Sequence, residues 1–260
     1  MSDFRRNCIE RKLLVGTFAA IPHPVAIEVT AASGVDFLCI DWEHSQISRE
    51  RIEDLIRAAD VHHVPAMVRV PGHAAEDIAA VLDAGATGVL IPRVSTAEQA
   101  RAAVKATRYP PLGVRGVGPG RAAAYGYRIP DYLAKANAEL VLAIQVETAE
   151  GLANIADIAA VEGIDLIFIG PGDLSVSIDA MGPAGKDKLD AAIRTITKTV
   201  LSAGRAVGIF RPTPDDVAAW SQAGISFFIL ASDTMFLGAS MAAGVIDAKK
   251  SGGGLEAREK

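Results

Sequence analysis

The sequence predicts a single-domain (β/α)8 barrel, the TIM-barrel architecture. Two observations predict it. Short β-branched or apolar runs alternate eight times with amphipathic, alanine-rich stretches, and no shift in composition marks a boundary within the 260 residues. Such alternation builds a parallel sheet covered by helices, and eight units of this size close that sheet into a barrel. The rival is a doubly wound open sheet. That architecture usually runs to about five or six units and carries a G-x-G-x-x-G turn after its first strand, which this chain lacks.

Taken in order, the first strand is LLVGTFA (13–19), with a helix near 23–33. The second, DFLCIDWE (36–43), sets Leu38, Ile40 and Trp42 on one face and Asp41 and Glu43 on the other; a helix near 48–60 follows. PAMVRVP (65–71) presents Arg69 at its end and leads to a helix near 74–84, and GVLIPRV (88–94) presents Arg93 and leads to one near 96–107. The fifth strand, LVLAIQVE (140–147), alternates most clearly. Leu140, Leu142, Ile144 and Val146 suit packing beneath helices, while Val141, Ala143, Gln145 and Glu147 face the barrel interior. Its helix spans 149–160. DLIFIGP (165–171) is followed by Asp173 and a helix near 185–203, AVGIFR (206–211) ends in Arg211 before a helix near 214–223, and SFFILAS (226–232) precedes a helix near 234–249. Residues 1–250 thus form the barrel, and SGGGLEAREK (251–260) reads as a flexible tail.

Composition narrows the function. A net charge of −5 without a Lys/Arg-rich run argues against nucleic acid as a partner. Cys8 and Cys39 are the only cysteines, too few for a disulfide framework or a C-x-x-C metal site, which suits a reducing cytoplasm. No stretch approaches the roughly 20 apolar residues of a membrane span. One long connection, 108–139, interrupts the alternation. Its glycine-rich part, GVRGVGPGR, lacks phosphate-loop spacing, and Arg115 and Arg121 are expected to reach an anionic substrate from it.

Catalytic groups of such a barrel lie at the C-terminal ends of its strands. Glu43, His44, Arg69, Arg93, Glu147, Asp173 and Arg211 all map there. Glu147 and Asp173 close consecutive strands and supply two hard oxygen ligands for a divalent cation, with positions left open for substrate. Each acid taken alone also suits the cap of a following helix. No lysine sits at a strand end, so a Schiff-base mechanism has no nucleophile there. A cation beside an arginine suits a substrate with adjacent carboxylate and keto oxygens, whose enolate a guanidinium stabilises; histidine is the natural base.

The blocks DWEHS (41–45), VRVP (68–71), VLDAGATGVLIPRV (81–94), TRYPPLGVRGVG (107–118), IPDYLAKAN (129–137), QVET (145–148) and VEGIDLIFIGPGDLS (161–175) resemble the HpcH/HpaI family of class II pyruvate aldolases. The resemblance implies a metal-dependent aldol lyase that works in aromatic-compound or sugar-acid catabolism; the lack of a signal-peptide-like or membrane-spanning apolar stretch leads to the expectation of a soluble, cytoplasmic protein. It would cleave a 4-hydroxy-2-oxo acid to pyruvate, or a close 2-oxo acid, and an aldehyde. It implies His44 as proton acceptor, Arg69 as pyruvate and enolate ligand, and Asp83 as the group that raises the basicity of His44. Glu147 and Asp173 would bind Mg2+, Mn2+ or Co2+, and Gln145, Gly172 and Asp173 would touch substrate. A homohexamer, a trimer of dimers, is also implied. Because Asp83 ends a helix at the bottom of its own barrel, it would have to act across a subunit interface.

The family often has Gly at the position of Trp42, and Ala or Ser at that of Gly172. Trp42 is expected to face the helices, and Gly172 still supplies a backbone amide. Phe210 and Arg211 are the candidates for aldehyde specificity. An acyl-CoA lyase, a decarboxylating condensation enzyme and a non-catalytic 2-oxo-acid-binding barrel are the alternatives.

Overall fold

Eight parallel strands close on themselves in chain order in the computed structural model, which describes residues 1–251. They are β1 (Leu14–Ala19), β2 (Phe37–Asp41), β3 (Ala66–Arg69), β4 (Gly88–Ile91), β5 (Val141–Val146), β6 (Leu166–Ile169), β7 (Ala206–Arg211) and β8 (Phe227–Ser232). Helices α2 (Pro24–Ala31), α3 (Arg49–Val61), α4 (Ala75–Asp83) and α5 (Ala97–Thr107) follow β1 to β4. A short 3-10 turn (Arg121–Gly126) and α6 (Ile129–Glu139) precede β5. Beyond it come α7 (Ala149–Ala153) and α8 (Ile155–Ala159), then α9 (Pro171–Ser177) and α10 (Gly182–Ser202) after β6, α11 (Val217–Gln222) after β7 and α12 (Asp233–Ser251) after β8.

The two faces of the strands build two separate cores, as the period of two requires. Leu38, Ile40, Leu142, Ile144, Val146, Ile167 and Ile169 belong to the layer between barrel and helices, and Trp42 packs against it. Phe37, Cys39, Val141, Ala143, Leu166, Phe168 and Phe227 fill the barrel itself. The barrel floor is sealed by α1 (Asp3–Ile9), whose Phe4 and Cys8 join the interior core, with the Phe4 ring 5.7 Å from that of Phe37. Burial pushes the Cys8 thiol up to about 12 and raises Cys39 as well, so both remain unreactive thiols.

The predicted strands are all present, several ending earlier than expected. Strand β2 stops at Asp41, because Asp41 Oδ1 accepts the backbone N–H groups of Glu43 and His44, each at 3.2 Å, and turns the chain out of the sheet. The helix expected at 149–160 is broken at Asn154 into α7 and α8. The connection 108–139 is largely ordered rather than plain loop and packs under the barrel. Arg108 donates to the carbonyls of Asn137 and Leu140 and to Asp165, which also accepts the Leu142 N–H. Of the expected tail, Ser251 is the last residue of α12, and 252–260 lie outside the described residues. No helix among the described residues is long and apolar enough to cross a membrane.

Candidate active site

The site begins at the junction of β2 and β3, where the register sets Asp41 directly opposite Arg69. Arg69 Nε donates to Asp41 Oδ1 at 3.0 Å and Nη2 to Oδ2 at 2.7 Å, so the guanidinium is gripped in a bidentate fork. Phe18 of β1 lies under it, 4.1 Å from ring centroid to the guanidinium carbon. The charge-assisted bonds to Asp41 outweigh the cost of burial and hold Arg69 above its ordinary value, fully charged.

Glu43 lies one turn further on, its side chain buried between three cationic or ionisable neighbours. Arg93 Nη2 is 3.0 Å from Oε1, and Arg69 Nε and His44 Nε2 are 3.6 and 3.5 Å from Oε2. Burial raises Glu43, the three neighbours oppose that shift, and Oε2 has no hydrogen-bond donor. His44 projects into the cavity at the mouth and is itself more than half exposed.

Glu147 follows β5 and is 2 % exposed. Its Oε1 accepts the backbone N–H of Arg93 at 2.9 Å, and its Oε2 accepts from Gln145 Nε2. Arg93 reaches that position with a φ of 53°, a left-handed backbone that a non-glycine residue holds only under constraint. Burial pushes Glu147 up to about 7, and the neighbouring charges of Asp173 and Glu43 add to the shift. Gly170 crosses directly above: a Cβ there would stand 2.5 Å from Glu147 Oε2. Asp173 sits in the first turn of α9, exposed, with Gly172 beside it.

These elements enclose a cavity of about 330 Å3, lined by Asp41, His44, Arg69, Gln145, Gly172 and Asp173 together with Phe18, Phe168, Phe210, Ser232, Thr234 and Met235. Of the predicted site residues, His44, Arg69, Gln145, Gly172 and Asp173 therefore converge on one space, and Glu147 lies just behind it under Gly170. Phe210 lines the same cavity. Arg211 does not: its Nε donates to Asp216 Oδ1 at 2.9 Å and its Nη2 to Oδ2, so of the two specificity candidates only Phe210 lines the cavity.

Asp83 stays away from the mouth of its own barrel. It is the last residue of α4, and Arg115 Nη2 donates to its Oδ1 at 2.5 Å. Arg115 is fully buried against Tyr109 and Tyr132, and Arg121 pairs with Asp60. Neither arginine reaches the cavity within this chain, which corrects the expectation that they meet an anionic substrate there. Their partners belong to the lower ends of helices, where the 108–139 segment is anchored.

Sequence reasoning turned Asp41 inward without a role and missed Phe18 and Gly170 altogether. Phe18 carries the same alternation signal as Gln145, but a phenylalanine in a strand reads as core.

A larger, apolar cavity of about 550 Å3 lies on the flank between α2 and α12, lined by Val29, Phe236 and Leu237 among others, and contains none of the predicted site residues.

The sequence and this geometry have known counterparts. The hydroxypyruvate/pyruvate aldolase of Delftia acidovorans is 37 % identical over 225 residues, covering 86 % of this chain and 84 % of its own. The 4-hydroxy-2-oxovalerate aldolase of Novosphingobium aromaticivorans is 39 % identical over 210 residues, covering 80 % of each. The crystal structure of an HpcH/HpaI aldolase/citrate lyase family protein from Burkholderia cenocepacia superposes with a TM-score of 0.90 at 32 % identity, covering 96 % of this chain and all of the other. Residues 14–239 match the HpcH/HpaI aldolase/citrate lyase family throughout, and the chain belongs to that family.

Proposed function

We propose that the protein is a carbon–carbon lyase of the class II aldolase type, reversibly cleaving a 4-hydroxy-2-oxo acid to pyruvate (or a close 2-oxo acid) and an aldehyde. The observation that carries this reading is the pre-set Arg69. A buried guanidinium, forked by Asp41 and stacked on Phe18, faces the same small cavity as His44 and Asp173. Its one unused amino group is ready for an oxyanion without reorganisation.

Glu147 and Asp173 fit a divalent cation. Both are hard oxygen donors, they interact through the charge that raises Glu147, and the Gln145 Oε1 beside them is buried without a donor. Among the described residues no group of three or more His, Cys, Asp or Glu side chains is arranged to hold a metal, and in this reading two carboxylates would be the protein's share. Mg2+, Mn2+ or Co2+ would act there as a Lewis acid on the 2-oxo acid.

The protein's own groups complete the reaction. His44 takes the proton of the 4-hydroxyl, the C3–C4 bond breaks, the aldehyde leaves, the bonding pair stays behind as the enolate, and the proton on His44 then passes to C3 to give pyruvate. Arg69 holds the enolate oxygen, while Gln145 and the backbone at Gly172 and Asp173 orient the carboxylate. Asp83 belongs to this scheme as a partner for His44 of an adjacent subunit. Association of copies, as the homohexamer requires, finds support in α12, which buries only Asp233 and exposes Phe236, Leu237, Met241, Val245 and Ile246.

The enolate half can be tested without knowing the aldehyde. In D2O the purified enzyme should exchange the methyl protons of pyruvate, read by proton NMR. EDTA should stop the exchange, and Mg2+, Mn2+ or Co2+ should restore it. Exchange at full rate in chelator would refute the cation's part, and inactivation by borohydride with pyruvate would point to a Schiff base instead.

A further inference from the structure

We propose that the aldehyde half of this site accepts an uncharged aldehyde and discriminates against one that carries a carboxylate; this rests on the aldolase reading above. The closed strand order divides the mouth into two arcs. The arc from β2 to β6 brings His44, Arg69, Gln145 and Asp173, the groups that handle the 2-oxo acid. The remaining arc, β7, β8 and β1, is contiguous through the β8–β1 pairing and contributes Phe210, Ser232 and Phe18, with Thr234 and Met235 from the first turn of α12.

That second arc is largely apolar, and its two hydroxyls are engaged with each other. The rings of Phe18 and Phe210 stand 5.9 Å apart and bridge across the end of β8. Ser232 Oγ and Thr234 Oγ1 are 2.8 Å apart and bond each other. Arg211, the one cation at the end of these three strands, is held by both oxygens of Asp216 and does not line the cavity. Among the described residues Arg69 is the only arginine or lysine that lines it, and two of its nitrogens already serve Asp41.

A carboxylate on the incoming aldehyde would therefore lose its hydration against two phenylalanines and a methionine with no cation of this arc in return. An alkyl group of equal length would bury apolar surface against the same wall. The volume, about 330 Å3, is near the low end of ligand pockets and must hold both halves of the substrate, which favours a short aldehyde.

Butanal and succinic semialdehyde form the matched pair for the test, because a methyl in one replaces the carboxylate in the other. With the metal-loaded full-length enzyme and pyruvate, the ratio of kcat/KM for butanal over succinic semialdehyde should exceed about tenfold. Phe210→Arg should move that ratio toward succinic semialdehyde by about tenfold or more. Met235→Arg, on the exposed rim, provides the same change if Phe210→Arg does not fold. Pyruvate exchange in D2O is read on every sample. A wild-type ratio at or below one with exchange intact overturns this inference and leaves the aldolase reading standing, as does a ratio that neither arginine shifts. No exchange and no product with either aldehyde overturns the aldolase reading, and this inference with it.

Discussion

Glu147 carries an electrostatic conflict that burial creates. It is almost fully buried, and burial together with Asp173 and Glu43 lifts it from an ordinary 4.5 to about 7. Between those values the folded protein keeps a proton that the unfolded chain has lost. The stability from this group is thus complete below about pH 4.5 and is lost as pH rises through 7, on the order of 3 kcal/mol in the cation-free protein. A cation must displace that proton. Mn2+ binding measured by calorimetry should be about tenfold weaker at pH 6 than at pH 8, and Glu147→Gln should abolish binding. An affinity flat across that range would remove Glu147 as a ligand. At Arg69 the expected cost is catalytic. Arg69→Ala should lower kcat by about 10²–10³, and Arg69→Lys should restore little because a point charge cannot make the fork with Asp41. Wild-type turnover in Arg69→Ala would refute its role. Glu147, Gln145 and Asp41 were legible from strand alternation, because a polar residue facing the interior of a closed barrel must sit where that interior opens. Phe18 was not, since its importance comes from lying under a guanidinium supplied by a strand that begins 48 residues after it.

Strand ends, more than strands, decide the site. The eight runs were readable because each is short, apolar and β-branched. Their ends were not, because side chains set them: Asp41 closes β2 by capping the two amides that follow it. Helix α9 was missed because Pro171-Gly172 reads as a turn, although proline is well suited to a first helical position. Helix α6, inside the long connection, likewise opens on Ile129-Pro130. At the β6–α9 junction Gly170 passes so close to Glu147 that any side chain there displaces the carboxylate. Gly170→Ala should keep the fold, with circular dichroism unchanged, while Mn2+ affinity and pyruvate exchange each fall at least about tenfold. Unaltered Mn2+ affinity would show that Glu147 does not need that clearance.

Across the whole molecule, α12 stands out as a helix without a home. It exposes a row of apolar residues beside an apolar cavity formed with α2, and among the described residues nothing covers either. The double variant Leu237→Glu/Met241→Glu should lower the mass found by light scattering from an oligomer to a smaller species, with the far-ultraviolet spectrum retained. A wild-type monomer at micromolar concentration would refute the oligomer and, with it, the reach of Asp83 to a neighbouring His44. What the sequence by itself determined is the barrel, through periodicity repeated eight times, and the inward placing of Asp41, Gln145 and Glu147, through the alternation within their strands. Only the tertiary structure decided which of those groups meet. Arg69 joins Asp41 by register and Phe18 by closure of the sheet, while Arg211 turns aside to Asp216 and Arg115 is held under the barrel by Asp83. Strand period is a local property of the chain, whereas a charged side chain takes its partner from whatever packing brings within about 3 Å.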